Sequence, residues 1–455
     1  MSHVFDPSIL RQYDIRGVVD DTLHEADARA LGRAFATMAS DRGLSKIAVG
    51  RDGRDHSQRL QDALIDGLRV CGMDVVNVGM GPSPMLYYAA AELDVDGGIQ
   101  VTGSHNPGDY NGFKMLLGDG SVHGEAIQEL GRIAASGEWS EGAGSLKSKD
   151  VLKAYVKRLT KDFRGGEFRI GWDAGNGAAG PALEMLVKAL PGEHHTLYTE
   201  VDGSFPNHHP DPTVEKNLDD LKALVAEKGL DFGIAFDGDG DRIGAVDGKG
   251  RVIWGDQILM LLARPVLAEN PGATIIADVK ASKALFDRIE SMGGDPVMWK
   301  TGHSLIKAKM KETGAPLAGE MSGHIFFKHR WYGFDDALYA AVRLIEAVGQ
   351  AGMSLSSLYD NFPETVATPE MRFPVDGKDK FAVIDQLLDN LRAAGADIND
   401  TDGARVTTED GWWLLRASNT QDVLAARAEA SDEEGLDRLV AQIDAELGKL
   451  GISRS

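Results

Sequence analysis

Cysteine is almost absent. Cys71 is the only one in 455 residues, so no intramolecular disulfide can form, which suits a reducing cytosol. Long apolar runs are missing too. None approaches the roughly 18 residues that a membrane span requires, and the opening MSHVFDPSILRQYDIRG has no apolar core of the Sec type. Basic residues are in deficit: 48 Lys and Arg stand against 70 Asp and Glu, a formal charge of −22. That balance argues against nucleic acid or an anionic membrane as partner, since both need basic surface. Phosphate ligands stay open, because a few Arg and Lys in one cleft can dominate the local field. These features predict a cytoplasmic enzyme; a monomer or weak dimer is expected.

The apolar fraction of 43% and the charged fraction of 26% are ordinary for a globular chain, and the length implies two to four domains. One local pattern repeats. A short apolar run ends in a Gly/Asp-rich turn, and a helical pattern follows. KIAVGRDGRDHS, FRIGWDAGNGAAG, DFGIAFDGDGDR and ATIIADVKAS are examples. The runs are continuous rather than alternating, as expected for strands covered on both faces. Such βαβ units build mostly parallel sheets whose ligands sit at strand C-terminal ends.

Polar residues 136–150 read as a linker, and GAVDGKGRVIWGDQ as a hairpin closing one unit. The chain changes character near Arg372. The expected architecture is α/β: three related α/β domains with mixed, mostly parallel sheets and a smaller C-terminal α+β domain. The boundaries fall at residues 1–148, 149–252, 253–364 and 365–455.

Five motifs carry chemistry. In GGIQVTGSHNPGDYNGFKM, Ser104 follows an apolar strand in a tight exposed loop, with His105 and Lys114 close in sequence to activate it. There is no G-x-S-x-G acyl-transfer elbow. In DGDGDR, Asp237, Asp239 and Asp241 alternate with glycines that let the backbone curl and the carboxylates converge. A hard divalent cation offsets their repulsion. An EF-hand is excluded, because Arg242 stands where it needs glycine and Gly248 where it needs glutamate. Arg242 beside the triad favours a phosphate next to the metal. In GEMSGH, Glu320, Ser322 and His324 alternate and so face one way; Glu and Ser suit sugar hydroxyls and His suits acid/base work. KTGHS adds Lys300, His303 and Ser304. RASNT offers Arg416, Ser418, Asn419 and Thr420, a donor set suited to phosphate.

GNGAAG at residues 175–180 matches a dinucleotide fingerprint. Asp173 just before it would oppose a pyrophosphate, so the run reads better as a packing turn.

These segments in this order, from YDIRG at Tyr13 to RASNT at Arg416, resemble the α-D-phosphohexomutase superfamily, in its phosphomannomutase/phosphoglucomutase branch. The resemblance implies phosphoryl transfer between C6 and C1 of mannose and glucose phosphates through a hexose 1,6-bisphosphate. It makes Ser104 the phosphoserine, and Ser104 with Asp237, Asp239 and Asp241 the Mg²⁺ site. Tyr13 and Arg16 would face the site, with Arg16, His105 and Lys114 near the transferring group and Arg242 beside the metal loop. Lys280 and His303 match cleft positions near the sugar, Glu320 and Ser322 the residues holding O3 and O4, and His324 a general base. Arg416, Ser418, Asn419 and Thr420 match the clamp on the other phosphate.

Two positions depart from the pattern. Gln421 and Asp422 follow SNT where proline is common, placing a carboxylate by the clamp. Gly103 replaces a common alanine, a change expected to affect loop flexibility. Phosphoglucosamine mutase, a Ser/Mg-dependent sugar phosphatase and a non-catalytic sugar-phosphate binder are the competing readings.

Overall fold

The computed structural model describes residues 2–118, 120–375, 377–419 and 422–452. Four sheets form along the chain. The first has a parallel centre, with Lys46–Arg51 flanked by Asp74–Met80 and Gly97–Val101. Tyr110–Leu117 then returns antiparallel beside Gly97–Val101, and Ile15–Val18 pairs antiparallel with it at the edge. In the second sheet Phe232–Phe236 lies parallel to Phe168–Asp173, and Ile243–Asp247 returns antiparallel. In the third, Leu317–Gly319 lies parallel to Thr274–Asp278, and Ile325–Phe327 returns antiparallel. The fourth sheet is antiparallel throughout, with Gly411–Ala417 turning back into Val423–Ala430. Helices Lys380–Ala393 and Glu433–Lys449 cover it.

One device therefore occurs four times. An apolar strand enters, a short polar loop turns, and an antiparallel strand leaves. The loops are those of TGSHNP, DGDGDR, GEMSGH and RASNT. The expected parallel strands are present, but the strand leaving each loop runs back beside the one entering it. Hairpin closure keeps the loop short, so its side chains stay near the sheet edge. The hairpin expected in GAVDGKGRVIWGDQ also forms, between Ile243–Asp247 and Val252–Ile253.

The cores are unequal in continuity. One apolar cluster runs through the first three units, joining Tyr88, Tyr155, Trp172, Leu183, Leu262 and Leu338. The last unit has its own core around Leu387, Trp413, Leu415 and Ile443. Its apolar contact with the third unit is small, made by Val279, Met298, Trp412 and Leu414. Polar contacts take over there. Buried Arg405 donates to the carbonyl oxygens of Val279 at 2.6 Å and Ala281 at 2.8 Å. Glu429 accepts from the Ser282 hydroxyl at 2.9 Å and from the Lys283 amide at 3.1 Å. Among the described residues, no helix is long and apolar enough to cross a membrane.

Candidate active site

Ser104 sits in the first loop with φ of 49°, a left-handed conformation that costs a non-glycine residue roughly 1–2 kcal/mol. The strain is held by neighbours. Asp52 accepts from the Thr102 hydroxyl at 2.9 Å and the Gly103 amide at 3.0 Å. Arg54 donates to the carbonyl oxygens of Ser104, Asn106, Pro107 and Tyr110. Gly103 is part of this arrangement: a Cβ there would stand 2.4 Å from Arg54 Nε. Its smallness thus makes room for Arg54, a packing role rather than the flexibility expected from sequence.

The Ser104 hydroxyl points across to the second loop, donating to Asp237 Oδ2 at 2.9 Å, with His105 Nδ1 3.2 Å away. Asp237, Asp239 and Asp241 are fully buried, with carboxylate oxygens within 4.8 Å of one another. Lys114 reaches in from the first sheet, 2.7 Å from Asp239 and also paired with Asp241. Ser83 and Thr102 add hydroxyl donors to Asp239. Among the described residues, Asp239 Oδ1 and Asp241 Oδ1 are buried without a hydrogen-bond donor. Oxygen atoms left bare in a buried, net-negative cluster fit a divalent cation better than a closed ion pair.

Charge and burial set the protonation states. Burial, then Asp239 and Asp241, pushes the Asp237 carboxyl well above the usual range. Burial opposes ionisation of Asp239 as well, but the Lys114 charge and several hydrogen bonds outweigh it and hold that carboxyl low. Burial would lower Lys114; Asp239 and Asp241 outweigh it and keep the ammonium charged. Burial and the nearby Arg242, Arg16 and Lys114 depress His105 far below its ordinary value, leaving a neutral imidazole.

Arg242 and His324 join the second and third loops. Their backbones form a bridge, and Arg242 Nε donates to His324 Nε2 at 3.0 Å. Because guanidinium only donates, Nε2 must carry the lone pair. The ring proton is then on Nδ1, 3.1 Å from Asp335 Oδ2 and 3.5 Å from Asp241 Oδ1. Asp335 is held in turn by Lys307 at 3.0 Å. His303 stacks on His324 with ring centres 5.7 Å apart.

The remaining residues lie around this centre. Arg16 pairs with Asp14 and donates to Asn106 Oδ1 at 2.6 Å, beside the Ser104 loop. Glu320 accepts from the Gly302 amide at 2.6 Å, and Ser322 is half-buried on the same loop. Tyr13 donates to the Thr301 carbonyl at 2.6 Å and accepts from Asn419. Arg416 Nε donates to Asp402 at 2.9 Å, and the Ser418 amide donates to Val423 O at 3.0 Å. Lys280 lies 3.4 Å from Glu370, where the third unit meets the fourth. Thr420 and Gln421 fall outside the described residues. Asp422 is exposed and faces Lys380 at 3.8 Å, so a cation offsets the charge expected to disturb the clamp.

The GNGAAG turn takes a structural place. Asp173 is bound to His208 at 2.9 Å, and the Ala178 amide donates to Gly238 O at 2.9 Å. The turn backs the three-aspartate loop. Sequence reasoning missed Asp52, Arg54, Asp335 and Asp402. The RDGRD turn after a strand was a signal for the first two; nothing local distinguished the others.

Similarity to known proteins agrees with this arrangement. Profiles described as phosphoglucomutase/phosphomannomutase alpha/beta/alpha domains I, II and III match residues 7–141, 153–250 and 254–366. That of the C-terminal domain matches residues 370–446. The phosphomannomutase/phosphoglucomutase of Pseudomonas aeruginosa is 48% identical over 433 residues, covering 95% of this chain and 94% of that protein. The chain belongs to the phosphoglucomutase/phosphomannomutase family. A phosphoglucomutase of Neisseria gonorrhoeae is 45% identical, covering 95% of each chain. The crystal structure of a phosphoglucomutase/phosphomannomutase family protein from Burkholderia thailandensis superposes with a TM-score of 0.93 at 44% identity, over 98% of both chains. The four loops of this member fall one in each of the four matched segments.

Proposed function

We propose that the chain is a phosphomannomutase/phosphoglucomutase that moves a phosphoryl group between C6 and C1 of mannose and glucose phosphates. One observation carries the reading: the Ser104 hydroxyl lies 2.9 Å from a carboxylate of the buried three-aspartate cluster, so nucleophile and cation pocket share an edge. Units 1–148, 149–252, 253–364 and 365–455 each lend one loop to the reaction.

In this reading Ser104 carries the phosphoryl group. Its O–P bond breaks as a new bond forms to a sugar hydroxyl, giving the hexose 1,6-bisphosphate. The bisphosphate turns over in the cleft, and its other phosphoryl group returns to Ser104. Asp237, Asp239 and Asp241 with Ser104 would hold Mg²⁺, which would supply charge to offset that of the transferring group. Arg16, Lys114 and the neutral His105 surround that group and orient it. His324 Nε2 takes the hydroxyl proton once Arg242 turns from the ring to a phosphate oxygen. The Asp335 carboxylate, 3.1 Å from Nδ1, favours the ring proton on that side through its charge. Glu320 and Ser322 hold O3 and O4, Tyr13, Lys280 and His303 complete the sugar wall, and Arg416, Ser418, Asn419 and Thr420 clamp the idle phosphate. O3 and O4 take similar places in both orientations of the bisphosphate, so recognition there tolerates either epimer at C2. The enzyme acts in the cytoplasm as a monomer or weak dimer.

The test is a coupled assay with Mg²⁺ and a trace of glucose 1,6-bisphosphate on mannose 1-phosphate, glucose 1-phosphate and glucosamine 1-phosphate. Comparable kcat/KM for the first two and little for the third is expected. Free phosphate without isomerised sugar would replace the mutase by a phosphatase.

A further inference from the structure

Asp402 belongs to none of the motifs, yet it stands at a crossing of three units. Its Oδ2 accepts from Arg416 Nε at 2.9 Å and from the Thr301 backbone amide at 3.1 Å. The Thr301 carbonyl accepts from Tyr13 at 2.6 Å, and the Tyr13 hydroxyl accepts from Asn419. Asn419 lies three residues after Arg416, so the contacts close into a circuit. The circuit ties the RASNT loop to the first unit and to the loop ahead of helix His303–Thr313. The Gly302 amide in that loop donates to Glu320. The Asp402 turn is also pressed onto the arginine: a Cβ on Gly403 would stand 2.6 Å from Arg416 Cβ.

The fourth unit has a separate apolar core and only a small apolar contact with the third. The distance between RASNT and GEMSGH is therefore set by polar contacts. We infer that Asp402 is a positioning residue: it holds the Arg416 guanidinium through Nε and docks it on Thr301, fixing the phosphate clamp at the span of a hexose phosphate from Glu320. The inference rests on Arg416 as the clamp of the proposed mutase. Orientation of the guanidinium, not the negative charge, is the contribution. A carboxylate beside Arg416 weakens its pull on phosphate, whereas an oxygen acceptor at that place aims the fork.

Both contacts fall on one oxygen, so Asp402→Asn can keep them through its amide oxygen while losing the charge. Asp402→Ala loses both. The dissociation constant for glucose 1-phosphate is measured by calorimetry on the full chain with Mg²⁺, beside kcat, KM and Tm. Asp402→Ala should weaken binding and raise KM by about tenfold, the scale of one charge-assisted hydrogen bond. Its kcat at saturation should stay within about threefold, and Asp402→Asn should bind within about threefold of the natural chain. Unchanged or tighter binding by Asp402→Ala overturns the inference, as does equal weakening in both variants. So does a fall in kcat and Tm with KM intact. Wild-type turnover in the same preparations tests the mutase reading separately: without it that reading fails, whatever the variants bind.

Discussion

The Arg54 guanidinium donates to the Ser104 carbonyl at 2.8 Å from a site only 2% exposed. The same side chain also serves Asn106, Pro107 and Tyr110, so one residue gathers most of the carbonyls that the strained loop turns inward. Lysine cannot reproduce a planar fork aimed at several acceptors. Arg54→Lys is expected to lower kcat about 10–100-fold and stability by about 3 kcal/mol, the range for a broken buried network. Urea denaturation and steady-state rates would show it; a variant with native kcat would leave Arg54 no part in shaping the loop.

Ser104→Ala removes the group proposed to carry phosphate. Activity should fall by at least about 10³-fold, as for other nucleophiles. Intact-mass spectra after incubation with glucose 1,6-bisphosphate should show the adduct in the natural chain alone. Unchanged turnover would end the phosphoserine mechanism.

Lys114 is the cation that reaches into the three-aspartate cluster, and the bare Oδ1 atoms leave room for a second. Chelation should abolish activity and Mg²⁺ restore it. Mg²⁺ binding to the folded chain alone should raise Tm, by an amount worth about 2.7 kcal/mol at 100 times its Kd. Lys114→Met leaves buried carboxylates uncompensated and should cost about 3–5 kcal/mol without Mg²⁺, partly regained with it. A Tm indifferent to Mg²⁺ would count against the cation site.

Gly302 has φ of 133°, and a Cβ there would lie 2.4 Å from the Tyr13 ring. Gly302→Ala must displace Tyr13 and with it the Asn419 contact. KM for glucose 1-phosphate should rise about tenfold, and Tyr13→Ala in the same chain should recover only the steric part. Native KM in Gly302→Ala would show that the contact does not shape the cleft.

Asp336 tests burial against charge. Desolvation raises its carboxyl from 3.8 to about 8, opposed by the Tyr339 amide and the Tyr155 hydroxyl. The folded value lies above the unfolded one, so the folded state holds the proton longer. Stability is greatest below the unfolded value and declines as pH rises from about 4 to about 8. Asp336→Asn cannot titrate, so Tm of the natural chain should fall relative to the variant across that window. Parallel curves would place the carboxyl near its ordinary value.

The sequence made the first two loops legible because TGSHNP and DGDGDR concentrate their chemistry in contiguous runs. Ser104, Lys114 and the three aspartates do meet. Continuous apolar strands revealed α/β units, but an apolar strand reads the same in either direction, so the antiparallel return after each loop was hidden. Arg54 was hidden for another reason. Its partners are backbone carbonyls about fifty residues away, and a carbonyl leaves no mark on the sequence. Asp335 meets Lys307 and His324 within its own unit but far along the chain, and Asp402 reaches Thr301 in another unit; local pattern carries no signal for either. The separate core of the last unit showed only as the change of character near Arg372.

The four hairpins make the molecule modular in a way that the apolar cluster shared by its first three units does not suggest. Each loop is bounded by two paired strands, so its length and composition can change while the ladder beneath keeps its register. The GEMSGH turn occupies only the residues between Leu317–Gly319 and Ile325–Phe327. Exchanging Glu320, Met321 and Ser322 while keeping His324 in its bridge to Arg242 would alter which hydroxyls are read, with the serine, the carboxylates and the proposed phosphate clamp left on sheets of their own. Selectivity for the sugar and machinery for the transfer can thus diversify on separate schedules.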